Sequence, residues 1–291
     1  MQVSAVHASF PVILGGLFCC YLVLQGFFDS NLGVSVGPEE YAERPDPQIY
    51  GERLIEDVKF PANAVVNVLY TAFGTYWVMR GLFVDQAVQS DVSLARPSRK
   101  LIDRLASDAF MTAVFGWMGV FYGPVQFLRI ASQTHHWAVL DQWFTFPFFS
   151  WVFCWELYSI WPSVNKFWFL LVEFVSMSSY FLTLYSALAF DLVLGLHILL
   201  AVSGAIYLIR KHPERSLLTP FLCAIVCTCG FVFLKLGDHQ LAALNPLFTI
   251  LSGHFWSKIC DALQIHFVCK LFFNFNSYEY ENVQKNEKKR K

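Results

Sequence analysis

Residues 253–267, GHFWSKICDALQIHF, place two histidines, a lysine and an aspartate in an otherwise apolar stretch. Imidazole, ammonium and carboxylate are the groups that bind metals, move protons and hold charged headgroups. At helical spacing His254, Lys258 and Asp261 share one face, which brings Lys258 and Asp261 within pairing distance. His266 points about 120° away from His254 at 100° per residue. Three further segments carry such groups: YGPVQFLR sets Tyr122, Gln126 and Arg129 on one side of a helix, HHWAVLDQWF sets His135 and His136 ahead of Asp141, and FLKLGDHQL brings Lys235, Asp238 and His239. Each group also has a plainer reading. Arg129, Lys235 and Asp238 fit snorkelling at span ends. Gln126 and Asn67 fit hydrogen bonding between helices. Glu173 and His197 stand isolated and read as structurally paired.

The elements that must hold these groups are membrane helices. The chain has 291 residues, of which 56% are hydrophobic and only 15% charged, whereas soluble domains are about a quarter charged. Apolar runs near the ~20 residues that cross a bilayer recur along the chain. They predict eight spans, at roughly 8–28, 60–79, 109–130, 137–160, 167–187, 188–209, 217–237 and 249–274. The fifth and sixth run together through a tight turn near Ala189 to Asp191. Every backbone group in hydrocarbon must be satisfied internally, so the spans are helices. The expected fold is all-α, a polytopic membrane helix bundle of seven core helices plus an N-terminal hydrophobic helix. Its expected parts are an anchor helix at 1–30, an acidic luminal loop at 31–59, the bundle at 60–274 and a basic cytoplasmic tail at 275–291. The first span reads as a retained anchor, because its apolar run exceeds a signal-peptide core and no Lys or Arg precedes it. Cleavage near Ser35 to Gly37 is the alternative.

Charge sets the orientation. With all eight spans crossing, one side receives Arg80, Arg96, Arg99, Lys100, Arg104, Lys166, Arg210, Lys211, Arg215, Lys270, Lys285, Lys288, Lys289, Arg290 and Lys291, and the other only Arg44, Arg53, Lys59, Arg129 and Lys235. The richer side is cytoplasmic, and both termini lie there. Gln126, Asp141, Asp238, His239, His254, Lys258 and Asp261 then converge near the opposite face, as a polar pocket open to the lumen. In the tail KNEKKRK, Lys288 and Lys289 read as a dilysine retrieval address, the alternative being a basic anchor on the anionic leaflet. A net charge of -1 argues against nucleic acid as a partner. The eight cysteines lie in apolar segments and predict no disulfide framework, and Cys227 and Cys229 lack the second pair of a zinc ribbon.

The runs YGPVQFLR…AVLDQW, LKLGDHQL and GHFWSKICDALQIHF, with FPANAVVNVLYTAFG and FFDS, resemble the transmembrane protein 187 family over roughly residues 20 to 275. That resemblance implies a multi-pass protein of the endomembrane system, ER or Golgi, with no established activity. The order of motifs is also similar to the superfamily of alkaline ceramidases, adiponectin-type receptors and glycosyl-phosphatidylinositol remodelling hydrolases. This wider resemblance implies an intramembrane zinc site that activates water against a lipid amide or ester. Asp141 stands at that pattern's aspartate and His254 at the first histidine of its last pair. Lys258 takes the second histidine's place, and Gln126 is the nearest match to the early one. An ammonium cannot ligate zinc, and an amide is a poor ligand, so the site reads as degenerate, with Lys258 supplying the metal's positive charge. The expected function is non-enzymatic (a pseudoenzyme), with membrane lipids as partners and no cofactor. The alternatives are a zinc-dependent lipid hydrolase with an altered site, in which His239 completes the ligands, and a transporter or receptor.

Overall fold

The computed structural model describes the backbone of residues 5–95, 99–165 and 167–289, and the side chains of residues 7–82, 107–165 and 167–280. The chain begins with α1 (Ala5–Leu24) and continues through a loop that carries two short helices, α2 (Pro47–Tyr50) and α3 (Glu52–Asp57). Asp46 caps α2 by accepting from the Gln48 N–H, ahead of Pro47 at the first helical position. A one-turn helix, α4 (Pro61–Val65), leads into α5 (Val68–Ala95), and α6 (Arg99–Ser132) returns. Gln133, at φ 53°, makes the sharp turn into α7 (His135–Ile160). Then follow α8 (Phe167–Ser179), a 3-10 turn at Tyr180–Leu184, α9 (Ala189–Lys211) and α10 (Arg215–Leu236). The short α11 (Asp238–Leu244) precedes the long α12 (Gly253–Lys289). No strand occurs among the described residues, and the chain is an all-α helical membrane bundle.

Boundaries differ from the expected spans in physically readable ways. The span expected at 60–79 is broken at Val66–Asn67, where the Asn67 side chain bonds the Asn63 and Ala64 carbonyls, and the helix proper runs on to Ala95. The last span starts at Gly253 and continues as helix through the segment expected as a separate tail. The turn expected near 189–191 falls at 185–188, just before α9. The side chains of Lys288 and Lys289 lie outside the described residues.

Among the described residues, four helices are long and apolar enough to cross a membrane by length and composition: α1, α8 with its 3-10 turn, α9 and α10. Their windows are mostly exposed, as suits faces turned to lipid. The other long helices, α5, α6, α7 and α12, carry the polar groups and lie more deeply. α5 packs on α6, α6 on α7, and α12 on α5 and α6. The lipid-compatible helices flank this group: α1 against α6 and α7, α8 and α9 against α7, and α10 against α12.

The α5–α6 contact is made of backbone. A Cβ on Gly74 would lie 2.5 Å from the Gly116 carbonyl oxygen, and one on Gly116 would lie 2.8 Å from the Gly74 carbonyl oxygen. Gly123 meets Thr71 Oγ and the Asn67 carbonyl in the same way. Small residues at helical spacing let two helices approach this closely. The approach sets Tyr70 of α5 edge-on against Tyr122 of α6, with ring centroids 5.2 Å apart.

Candidate functional site

Lys258 sits one and a half turns into α12, 4% exposed, and its Nζ donates to Gln126 Oε1 at 2.8 Å. That amide is oriented by its other end, because Gln126 Nε2 donates to the Tyr122 hydroxyl and to Asp141 Oδ1. Tyr122 also donates to Asp141 Oδ1, at 2.9 Å, and Arg129 pairs with Asp141 Oδ2. Residues 122, 126 and 129 stand one turn apart on α6, so one face of that helix surrounds one carboxylate of α7. Thr145, one turn beyond Asp141, accepts or donates at 3.2 Å to the same phenol. The second carboxylate, Asp261, accepts from the Tyr70 hydroxyl at 2.5 Å. The Tyr70 ring lies 6.0 Å from Lys258 Nζ and joins the two halves of the cluster. Two basic side chains, Arg129 and Lys258, thus share the cluster with two acidic ones, Asp141 and Asp261, and Arg129 with Asp141 is its direct ion pair. Beside Asp261 a cavity of about 40 Å³ is lined by Tyr122, Thr145, Gln264 and the aromatic wall Phe115, Phe148 and Phe149. That is room for roughly one water molecule or one hydroxyl.

Nearer the 31–59 loop, Asp238 is a clamp. Its Oδ1 accepts from the His254 N–H at 2.9 Å and its Oδ2 from the Ala42 N–H at 2.8 Å. The loop is fixed at other points too: Arg44 N–H donates to the Thr249 carbonyl at 2.7 Å, Lys59 N–H to Ala131 at 3.3 Å and Leu32 N–H to Thr183 at 3.3 Å. Glu43 is 3% exposed and caps α4, its two oxygens accepting from the Ala62 and Asn63 N–H groups, each at 2.9 Å. Burial pushes the Glu43 carboxyl above the usual carboxylate range, while the two N–H donors pull it back. The Tyr41 ring covers the His254 imidazole edge-on at 4.7 Å. His254 Nε2 is buried with no hydrogen-bond partner among the described residues. Outside this lid a groove of about 970 Å³ runs between the loop and α11, lined by residues that include Arg44, Lys59, Gln133 and His239.

The chain matches the model of the TMEM187 protein family over residues 8–273. The chain belongs to the TMEM187 family. Human transmembrane protein 187 is 38% identical over 277 residues, covering 94% of this chain and 92% of the human one. The bovine transmembrane protein 187 is 38% identical over 271 residues, 92% of this chain and 96% of its own. No solved structure matches.

For this TMEM187-family chain, the residues singled out in the sequence divide in two. Gln126, Asp141, Lys258 and Asp261 meet in one buried cluster. Asp238 and His254 meet in the clamp beneath the loop. His239 does not join either, because it is exposed and its Nε2 faces the Glu39 carbonyl at 2.9 Å. The expected direct pairing of Lys258 with Asp261 is replaced: Lys258 reaches across to α6, and Asp261 to Tyr70 of α5. Arg129 does not snorkel but pairs with Asp141, whereas Lys235 is exposed, its ammonium 5.7 Å from the Phe231 ring. His266 faces Phe73, Tyr76 and Trp77, away from the cluster. Glu173 accepts from Ser150 and His197 meets Ser176. Asn67 bonds the Asn63 and Ala64 carbonyls of the preceding α4 rather than a helix packed alongside. His135 meets the Phe28 carbonyl, and His136 lies 3.8 Å from Asp29 at the surface. All eight cysteines are free. Sequence reasoning missed Tyr70 and Glu43. Tyr70 lies at a helical step from Asn67 but has no charge to mark it, and Glu43 sits among other acids of a loop that reads as solvated.

Proposed function

We propose that this multi-pass membrane protein is non-enzymatic, and that its central cluster is a metal-free polar site that holds the bundle together and receives the polar end of a membrane lipid. The observation that carries this reading is the Lys258 ammonium donating to Gln126 Oε1, whose NH₂ in turn donates to Asp141. In a zinc hydrolase of the kind the motif order resembles, this place would hold a cation bound by histidines. Here the ligands do not fit: an ammonium cannot donate a lone pair and repels a divalent ion, and Gln126 turns its NH₂ toward Asp141. His254 is the single histidine near the cluster. The fixed charge of Lys258 does what the metal's charge would do, neutralising carboxylates where solvent cannot. The small cavity beside Asp261 has acceptor and donor groups at its wall and suits one hydroxyl or amide of a lipid.

Native mass spectrometry of the full chain in mild detergent, with metal analysis, tests this. The expected result is substoichiometric zinc with co-purifying lipid. Zinc near one per chain would overturn the reading and raise the altered-site lipid hydrolase in its place. The Lys/Arg asymmetry further supports loop 31–59 on the luminal side, and protease added to sealed microsomes should then remove a tag placed after α12 while sparing the loop. The Lys288–Lys289 address is tested by changing both to serine, which should move the steady-state location to later compartments of the secretory pathway.

A further inference from the structure

The groove outside the Tyr41 lid, about 970 Å³ in volume, contains no residue of the Lys258 cluster. It has the size of a small-molecule pocket, and its walls are tied in place. Arg44 N–H is held at the Thr249 carbonyl and Lys59 N–H at the Ala131 carbonyl. Gln133 spends its amide on the walls: its Oε1 accepts from the Gly37 N–H at 3.3 Å, and its Nε2 donates to the Arg129 and Ile130 carbonyls. His239 joins α11 to the loop through the Glu39 carbonyl. Much of the lining is apolar. The rings of Tyr41 and Phe60 lie 4.6 Å apart, each 5% exposed, and α11 adds Ala242 and Ala243. Two charged groups of the lining are left over. The side chains of Arg44 and Lys59 are exposed, and neither makes an ion pair or a hydrogen bond among the described residues. The acids of the groove do not answer them. Glu43 gives both oxygens to the Ala62 and Asn63 N–H groups. Glu39 folds back on its own turn, where a Cβ on Gly37 would lie 2.2 Å from Oε1.

The groove also stands at headgroup depth. Lys235 is exposed in the last turn of α10, as a lysine reaching for the membrane interface is, and α11 follows directly at Asp238. Beside Ala243, Leu244 is 81% exposed, and Leu236 at the end of α10 is 73% exposed. These leucines carry the lipid-facing surface of α10 up to the edge of the groove. We propose that the groove binds an anionic phospholipid of the leaflet on the loop side, its phosphate held by Arg44 and Lys59 and its acyl chains passing over α11 onto α10. The charges are complementary: a guanidinium forks onto phosphate oxygens, and an ammonium adds a point charge. A zwitterionic phospholipid brings its own ammonium toward two unpaired cations, which is a repulsive element against it. Free phosphate would meet the cations but leave the apolar lining and the leucines in water, whereas a lipid covers both. The tied walls hold the two cations' backbones before the ligand arrives, so little ordering remains for binding to bring about. None of this rests on the reading of the Lys258 cluster, since the two sites share no residue.

The test is native mass spectrometry of the full chain in detergent micelles, supplied with phosphatidylglycerol and phosphatidylcholine of the same acyl chains. Both lipids carry one phosphate and differ in the ammonium, so the ratio retained reads the charge preference. The expected ratio favours phosphatidylglycerol by about tenfold for the first lipid bound. It should fall at least about fivefold when Arg44→Ser and Lys59→Ser are combined. Ala243→Trp, which fills the groove and changes no charge, should lower it as far. Arg53→Ser removes an exposed loop cation that does not line the groove and should leave the ratio as it is. Should the double variant fail to fold, Ala243→Trp decides alone. The same ratio in the wild type and the groove variants would assign the preference to the basic tail and overturn the proposal. An equal fall in Arg53→Ser would overturn it as well, by reducing the effect to the loop's total charge. Glycerol 3-phosphate displacing the lipid at equal concentration would overturn the lipid as the occupant.

Discussion

Lys258 is the residue on which the central cluster turns, because it is the basic group that α12 contributes to it. Removing one partner of a buried charged network leaves the others uncompensated. Lys258→Met should therefore cost about 3–5 kcal/mol of stability, read as a lowered thermal midpoint in detergent. Lys258→Met with Gln126→Leu should recover part of that loss, since the amide then no longer lacks its donor. A different acid gives a pH signature. The folded chain holds the Glu43 proton more tightly than the unfolded chain does, because burial raises its pKa. The stability that follows is fully present below the usual carboxylate range and is lost as pH rises through the raised value. Protease should thus cut loop 31–59 faster as pH rises through that window, and Glu43→Gln should remove Glu43's part of the slope. The residue types of the cluster were legible in the sequence because charges inside apolar runs are conspicuous and helical spacing groups them. Their partners were not. Spacing along α12 suggests Lys258 with Asp261, but only the close approach of α5 and α6 shows that Tyr70 and Gln126 compete for each and win.

Among the elements, the α5–α6 pair is the framework of the site. Backbone meets backbone at Gly74 and Gly116, so any larger side chain must push the helices apart. Gly116→Leu should separate them and displace Tyr122, Gln126 and Arg129 from Asp141. The expected loss is about 1–3 kcal/mol or more from overpacking, measured as a fall in thermal midpoint, together with greater Lys258 accessibility to amine-reactive labels. Gly195, which has nothing within 4 Å of a built Cβ, is the control: Gly195→Leu should leave the midpoint within about half a kcal/mol of the wild type. Composition revealed the apolar helices α1, α8, α9 and α10 clearly, since a helix facing lipid must be apolar around most of its surface. The helices that do the positioning were harder to delimit. Polar groups dilute their apolar pattern, and α5, α6 and α12 continue as helix past the point where their apolar character ends.

At the scale of the molecule, α5, α6 and α12 have 28, 34 and 37 residues. At 1.5 Å per residue they exceed a ~30 Å hydrocarbon core by roughly 12–25 Å. Each has its other end at the loop face, so the excess projects from the opposite face, where the sequence showed a basic tail without showing that it is helical. The bundle is therefore asymmetric, with a pinned loop at one end and extended helices at the other. The pins of the loop have an order in time. Ala42 emerges from the ribosome early, but its acceptor on Asp238 and the Thr249 carbonyl that receives the Arg44 N–H are made 196 residues and more later. Until α10 and α11 are in place, the loop can reach only its earlier anchor points at Ala131 and Thr183, and its Ala42 and Arg44 N–H groups lack their acceptors. Docking is thus the last act of assembly and a report that the late helices have arrived. A nascent chain stalled before residue 238 should show the loop as protease-sensitive, and one released after α12 as resistant. The latch at Asp238 and Thr249 closes only once the late helices have been made, so its closing marks a finished molecule.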